Sequence, residues 1–532
     1  MDHSSDAAPP ATSASRNDRL LFWACFMSIV ATAFGFIIRT QIIDDWGTQF
    51  RLSETQKGEI FGVGLWPFAI SIVLISLVID RIGYGTAMVF AFVCHVASAV
   101  ITICAPMLAG GDSTRGFWIL YLGTFIVALG NGTVEAVANP VVATLFPREK
   151  TKWLNYLHAG WPGGLVLGGV LALLMGGVRW EYKVALLFLP VVAYGLLMLG
   201  RRFPVHERVE AGVSYKEMLQ EVGVLGALIV VAMIVRQVGT VFAWSNAVQL
   251  VVGAALVVAY GLYVRTLGQP LFIFLLLIMV PLATTELGTD SWITPLMEPE
   301  MSKLGLQAGW VLVYTSLIMM VLRFSAGAIV HRLSPLGLLA LSALVAAIGL
   351  VFLSKSAGLT ILAAATIYGF GKTFFWPTML GVVAEQFPRG GALTLNTMGG
   401  VGMLAVGVIG APLLGNIQDT RIDRELRTRA PELRERVVTP VKTSVFGAYQ
   451  PVDAEEVKKL SPEEQTTIAG IQAGAKKNAL MTVAIFPCIM FVCYMALILY
   501  FRSKGGYKAQ IMVSEKEEEL MMTGGTVGPS EM

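Results

Sequence analysis

Stretches of about 20 predominantly apolar residues recur along this chain, each long enough to cross ~30 Å of hydrocarbon as a helix. They fall at roughly 20–43, 59–79, 86–107, 116–144, 154–177 and 182–200, then 222–244 and 247–266, and finally 270–297, 309–331, 335–355, 359–386, 391–416 and 479–502. Lipid offers no hydrogen bonds to exposed backbone, so such segments span as helices. The sequence therefore predicts an all-α membrane protein of about fourteen transmembrane helices, two groups of six with two extra inserted helices. Only 14% of the 532 residues are charged, where a soluble chain carries roughly a quarter. The balance of 39 Lys+Arg against 36 Asp+Glu argues against nucleic-acid binding. All five cysteines lie inside apolar runs without metal-ligand spacing, so no metal or disulfide is expected.

Short loops set the orientation. With the N-terminus inside, the inner loops hold Asp80-Arg81, Arg148 to Lys150, Arg201-Arg202, Arg265, His331-Arg332 and Arg389. This excess of basic residues places both termini in the cytoplasm and the chain in the cell (inner) membrane as a multi-pass protein. The expected organisation is a disordered tail over 1–18, a six-helix bundle over 19–202, and a cytoplasmic linker with the inserted helix pair over 203–268. A second six-helix bundle over 269–502 follows, carrying an external, partly helical insertion at 418–478, and a cytoplasmic tail covers 503–532. The Glu-, Gly- and Ser-rich end of that tail reads as disordered.

The two groups of six echo each other. Phe146-Pro147-Arg148 followed by Leu154-Asn155 recurs as Phe387-Pro388-Arg389 followed by Leu395-Asn396, both at an offset of 241. The turn Asp80-Arg81-Ile82-Gly83 matches His331-Arg332-Leu333-Ser334 at an offset of 251, where Gly58 also falls on Gly309. Two halves of the same orientation are the mark of a parallel-repeat transporter.

The Asp80-Arg81-x-Gly83 turn resembles the loop between helices 2 and 3 of the major facilitator superfamily. Within it, Glu135-Ala-Val-Ala-Asn139-Pro140 and Leu154-Asn155-x-x-His158 resemble the fucose:proton symporter family. That family's helix 1 carboxylate falls here on Thr40, its helix 5 Gln on His158, and a following Asn on Trp161. The resemblance implies two bundles rocking about a central cavity lined by helices 1, 4, 7 and 10. It also implies gating roles for Asp80 and Arg81.

A charge inside a span costs ~2.5–3.5 kcal/mol, so each needs an explanation. The set is Arg39, Glu135, Arg236, Glu286, Asp290, Arg323 and Lys372. Arg39 maps onto Asp290 at the offset of 251, and Glu135-x-x-x-Asn139-Pro140 maps onto Lys372-x-x-x-Trp376-Pro377. Two buried pairs are expected: Arg39 with Glu135, and Asp290 or Glu286 with Lys372. Each pair opens when a proton or substrate binds, or else only locks helices together. Arg323, near the end of its span, is expected to snorkel to the interface. Arg236 is expected to pair locally within the inserted helices.

Sugar sites combine aromatic platforms with amide and carboxylate hydrogen bonds. The candidates for substrate binding are Arg39, Glu135, Asn139, His158, Trp161, Glu286, Asp290, Trp292, Lys372 and Trp376, with Trp66 a further aromatic platform. Glu135 and Asp290 are the candidates for proton coupling, and Asn155 and Asn396, at repeat-related positions, for gating. Pro67, Pro140, Pro162 and Pro377 each remove a backbone hydrogen bond inside a span. No nucleotide-binding or catalytic motif is present, so neither an enzyme nor a cofactor is expected. The expected function is secondary active transport of a small polar solute, foremost a sugar, coupled to protons and carried out by a monomer in the lipid bilayer. The rival readings are an anion transporter using Arg39 and Lys372, and a non-transporting membrane receptor.

Overall fold

The computed structural model describes residues 15–289, 301–302, 305, 307, 309–444, 447–510 and 512. The first helix, α1 (Arg16–Phe50), starts inside the expected disordered tail. The reason is local. Ser15 Oγ accepts from the Asp18 amide and the Asp18 carboxylate accepts from the Ser15 amide, a capping box that satisfies two donors at the helix start.

Five more helices complete the first group: α2 (Gln56–Ile82), α3 (Tyr84–Ile103), α4 (Ser113–Leu145), α5 (Lys150–Leu174) and α6 (Trp180–Met198). The inserted pair is α7 (Tyr215–Val241) and α8 (Asn246–Val264). The second group comprises α9 (Pro270–Gly288), α10 (Gly309–Phe324), α11 (Pro335–Lys355), α12 (Thr360–Lys372), α13 (Phe375–Gln386), α14 (Pro388–Arg429) and α15 (Pro462–Ser503). Among the described residues, 12 of these are long and apolar enough to cross a membrane. The sequence count of fourteen takes α10 as one crossing and α12 with α13 as another. Length alone qualifies neither, because the chain breaks at Ser325 and at Thr373-Phe374.

The internal repeat is visible in the backbone. Gly83 (φ 78°, ψ 152°) ends α2 and starts α3, and Ser334 (φ 60°, ψ 160°) occupies the same conformation before α11. The Ser334 hydroxyl accepts from the Gly337 amide, so a side-chain cap accompanies a backbone shape that favours glycine.

Within the first half α1 packs on α4, α5 and α6. Gly164 lets α5 approach α1 so closely that a Cβ there would lie 2.5 Å from the Val30 carbonyl oxygen. Between the halves, α2 packs on α14, while α5 packs along α10 and α13. The α7–α8 pair joins the second half through α7, which lies on α9 and α14. Helix α8 leaves Leu250, Val251, Leu256 and Leu262 exposed, a surface suited to lipid. Arg236 donates to Gln249 within this pair, the local partnership expected for it.

Helices α14 and α15 continue into the 418–478 segment, where they pack on each other. An antiparallel hairpin, β1 (Lys442–Ser444) with β2 (Gly447–Tyr449), lies between them. Ile422, Leu426, Val437, Leu460, Ile468 and Ile471 form a small separate core there. Beyond Arg502 the chain does not leave the protein at once. The Tyr507 hydroxyl donates to Glu385, and the Gln510 amide donates to the Glu385 carbonyl. Glu385 and Gln386 thus offer partners to the start of the tail, whose Glu-, Gly- and Ser-rich end lies outside the described residues.

Candidate functional site

Three prolines organise the middle of the molecule. A proline at position i cannot donate to the carbonyl of residue i−4, so that oxygen is left for another donor. Pro140 in α4 frees the Ala136 carbonyl, and Asn396 of the other half donates to it at 3.0 Å. Pro162 in α5 frees the His158 carbonyl, and Pro377 in α13 frees the Thr373 carbonyl. Arg323 takes both, through Nη1 to His158 O and Nε to Thr373 O, each at 2.8 Å.

The remaining Arg323 nitrogen, Nη2, meets the Glu286 carboxylate at 2.8 Å. Arg323 is only 2% exposed, and among the described residues its charge meets a carboxylate and two carbonyl oxygens, one of them from the first half. Glu286 sits on a π-helical turn, Thr284–Gly288, a widening often found at functional positions. Its second oxygen accepts from the Trp376 amide at 2.9 Å, one of the donors left over at the start of α13. The carboxylate thus caps a helix start, where its charge is favoured.

On the first-half side, Glu135 and Asn139 lie one turn apart on α4. Asn139 donates to the Glu135 carboxylate at 2.7 Å and accepts from His158 Nε2 at 2.8 Å, which fixes the His158 ring as an Nε2 donor. His158 Nε2 is also 3.9 Å from the Glu135 carboxylate. A polar chain therefore runs Glu135–Asn139–His158–Arg323–Glu286–Trp376, and it crosses between the halves at the His158 carbonyl.

Glu135, Asn139, His158, Glu286 and Trp376 are thus brought together. Lys372 is buried at the end of α12 with its ammonium 5.5 Å from the Tyr368 ring centre. Tyr368 in turn bonds the Thr289 hydroxyl and the Thr285 carbonyl of α9. Trp161 lies against Phe36 with ring centres 5.8 Å apart, and Trp66 against Phe125 at the same distance. Asp290 and Trp292 lie outside the described residues.

The expected Arg39–Glu135 pair is not formed: Glu135 is bonded to Asn139, with His158 Nε2 3.9 Å away. Glu286 is bound to Arg323, and the expected pairing of Lys372 with Asp290 falls outside the described residues. Arg39 forms no ion pair among the described residues; it lies inside the first half beside Thr102 and Thr124. Arg323 does not snorkel. The freed carbonyls and Glu286 give it three acceptors inside, and a place at the helix end does not reveal them.

The Asp80 end is closed by contacts between the halves. Asn155 donates to the Thr378 hydroxyl at 3.2 Å, while Asn396, its repeat mate, donates to Ala136 O. Each asparagine thus reaches from its own half into the other. Thr151 donates to Glu385 through its amide and its hydroxyl, and Lys150 donates to the Ala384 carbonyl. The 203–214 linker reinforces this: Glu207 pairs with Lys150, and Arg208 with Asp80. Arg81 lies over the Tyr215 ring. Burial, with Lys150 and Arg208 adding, pushes the His206 imidazole down to about 3, so it stays neutral and accepts from the Arg208 amide.

Gly381 sits where α13 meets α5, and a Cβ there would lie 2.7 Å from the Cα of Thr151. Gly381→Val therefore burdens only the closed arrangement, by ~1–3 kcal/mol of overpacking. A cysteine introduced by Asn155→Cys is expected to react with a maleimide about tenfold faster in the Gly381→Val background. An unchanged rate would mean that this contact does not hold the end closed.

Residues 20–411 match the sequence profile of the Major Facilitator Superfamily. The class E tetracycline resistance protein of Escherichia coli is 29% identical over 171 residues, a stretch spanning 27% of this chain and 40% of that protein, well short of two thirds of its length. Among solved structures, the E. coli fucose:proton symporter FucP is 14% identical, covering 88% of this chain and 98% of that one, with a TM-score of 0.53. The proton:xylose symporter XylE, also of E. coli, is 13% identical over 96% of this chain and 100% of that one, with a TM-score of 0.59. The human organic anion transporter MFSD10 is 13% identical over 90% of this chain and 99% of that one, with a TM-score of 0.53. At these identities the three structures share the fold with this chain.

Proposed function

We propose that this chain, which belongs to the major facilitator superfamily, is a secondary active transporter that moves a small neutral polar solute, foremost a sugar, together with a proton. The observation that carries this reading is the setting of Glu135. Its carboxylate is buried, yet it accepts from the Asn139 amide, with the His158 imidazole 3.9 Å away, rather than from a lysine or arginine. Such a group gains or loses a proton without stranding a buried cation, which suits a coupling site.

Protonation of Glu135 weakens its hold on the Asn139 amide. Asn139 and His158 are then released to bond sugar hydroxyls, with Trp161, three residues after His158, and Trp376 as the aromatic platforms for an apolar ring face. The Arg323 charge is matched by Glu286, which favours a neutral cargo over an anionic one at this cluster. Because Arg323 also holds the His158 carbonyl, a change at His158 reaches the contact between the halves. Asn155, Asn396, Asp80 and Arg81 act at the closed end, which the basic loops assign to the cytoplasm together with both termini. Two of the proteins sharing the fold are sugar:proton symporters, which supports the same cargo class.

Purified protein in liposomes, offered labelled sugars and labelled organic anions with and without an inward proton gradient, tests this. A neutral sugar is expected to enter, faster with the gradient. Uptake of anions alone would favour an anion carrier using Lys372, and uptake of neither class would favour a non-transporting receptor.

A further inference from the structure

Arg39 has no part in the central chain, and its surroundings point to a different ligand. On α1, Gly35, Ile38, Arg39, Ile42 and Trp46 share one face, turned toward α3, α4 and α6. With Ser98, Thr102, Thr124 and Leu187 they line a half-open cavity of about 40 Å³ within the first half. Every lining residue belongs to that half, so rocking of one half on the other leaves the cavity intact.

The lining is rich in hydrogen-bond donors and poor in negative charge. Arg39 is more than nine-tenths buried, and no carboxylate among the described residues lies within ion-pair distance of it. The Trp46 indole N–H is also buried and has no hydrogen-bond partner. The hydroxyl residues Thr102 and Thr124 complete the wall. An uncompensated guanidinium that is mostly withdrawn from water is costly, and water supplies dipoles but no countercharge. A space of this volume suits a monatomic ion better than a sugar.

We propose that this cavity binds one small inorganic anion of the size and charge of chloride, which neutralises Arg39 and accepts from the Trp46 indole. The anion is a bound counter-ion of the first half rather than the transported solute. The site therefore stands or falls independently of the sugar reading.

The test is thermal unfolding of the purified full chain, with sodium chloride titrated against sodium gluconate at constant ionic strength. Chloride is expected to raise the unfolding temperature saturably, by a few degrees, because it binds the folded state alone. Arg39→Gln is expected to lose this response. In gluconate it should unfold at or above the wild-type temperature, since the unneutralised charge is gone. Should Arg39→Gln fail to fold, Thr102→Val keeps the charge and is expected to raise the chloride concentration at half-effect by about tenfold. Bromide soaked into crystals should give an anomalous peak beside Arg39. Equal unfolding temperatures in chloride and gluconate for the wild type, or a full chloride response in Arg39→Gln, would overturn the proposal.

Discussion

Arg323→Gln is expected to lower stability by about 3–5 kcal/mol and to reduce transport to background. The cost has three parts. Glu286 loses the Arg323 guanidinium, and the His158 and Thr373 carbonyls, already deprived of backbone donors by Pro162 and Pro377, lose their substitute. Arg323→Lys keeps the charge but replaces a planar fork by a point donor that cannot serve three diverging acceptors, so it should recover only part of the loss. The decisive comparison is Arg323→Gln with Glu286→Gln. Removing both charges should be less damaging than removing the arginine alone, because a buried carboxylate that has lost its arginine costs more than either open carbonyl. Thermal unfolding in detergent reads the stability, and liposome uptake reads the function. An Arg323→Gln protein as stable as the wild type would mean that Arg323 does not hold the two halves and Glu286 together.

Much of this was legible in the chain, though unevenly. The apolar runs gave the helices, and the paired turns gave the repeat, which returns in the matching backbone of Gly83 and Ser334. The prolines announced that carbonyls would be left open in α4, α5 and α13. What took those carbonyls was not legible, because the donors lie far along the chain: 165 residues separate His158 from Arg323, and 260 separate Ala136 from Asn396. Hydropathy at a helix end favoured the surface for Arg323, and only tertiary packing supplies the three inward acceptors. For Arg39 a signal was present. Gly35, Ile38, Ile42 and Trp46 recur at helical spacing around it, a stripe facing its own half, whereas aligning it with Asp290 pointed to the central cavity. The docking of Tyr507 had no sequence signal, since it rests on the buried acceptor offered by Glu385.

In the proposed transport cycle Glu135 carries the proton through its bond to Asn139. Glu135→Gln keeps the shape and leaves Asn139 with a permanently neutral partner, a mimic of the protonated acid. The introduced side-chain carbonyl can still accept from the Asn139 amide, so the fold and the solute site should persist. Exchange of labelled for unlabelled solute should then continue at a rate near that of the wild type, because exchange needs both halves to rock but no net movement of a proton. Accumulation against a concentration gradient should vanish, because no group remains to link solute to proton. The measurement is therefore accumulation and exchange of the same labelled sugar in Glu135→Gln liposomes, each with and without an inward proton gradient. Exchange retained with gradient-driven accumulation lost is the expected result; accumulation at the wild-type level would contradict a proton-carrying role for Glu135.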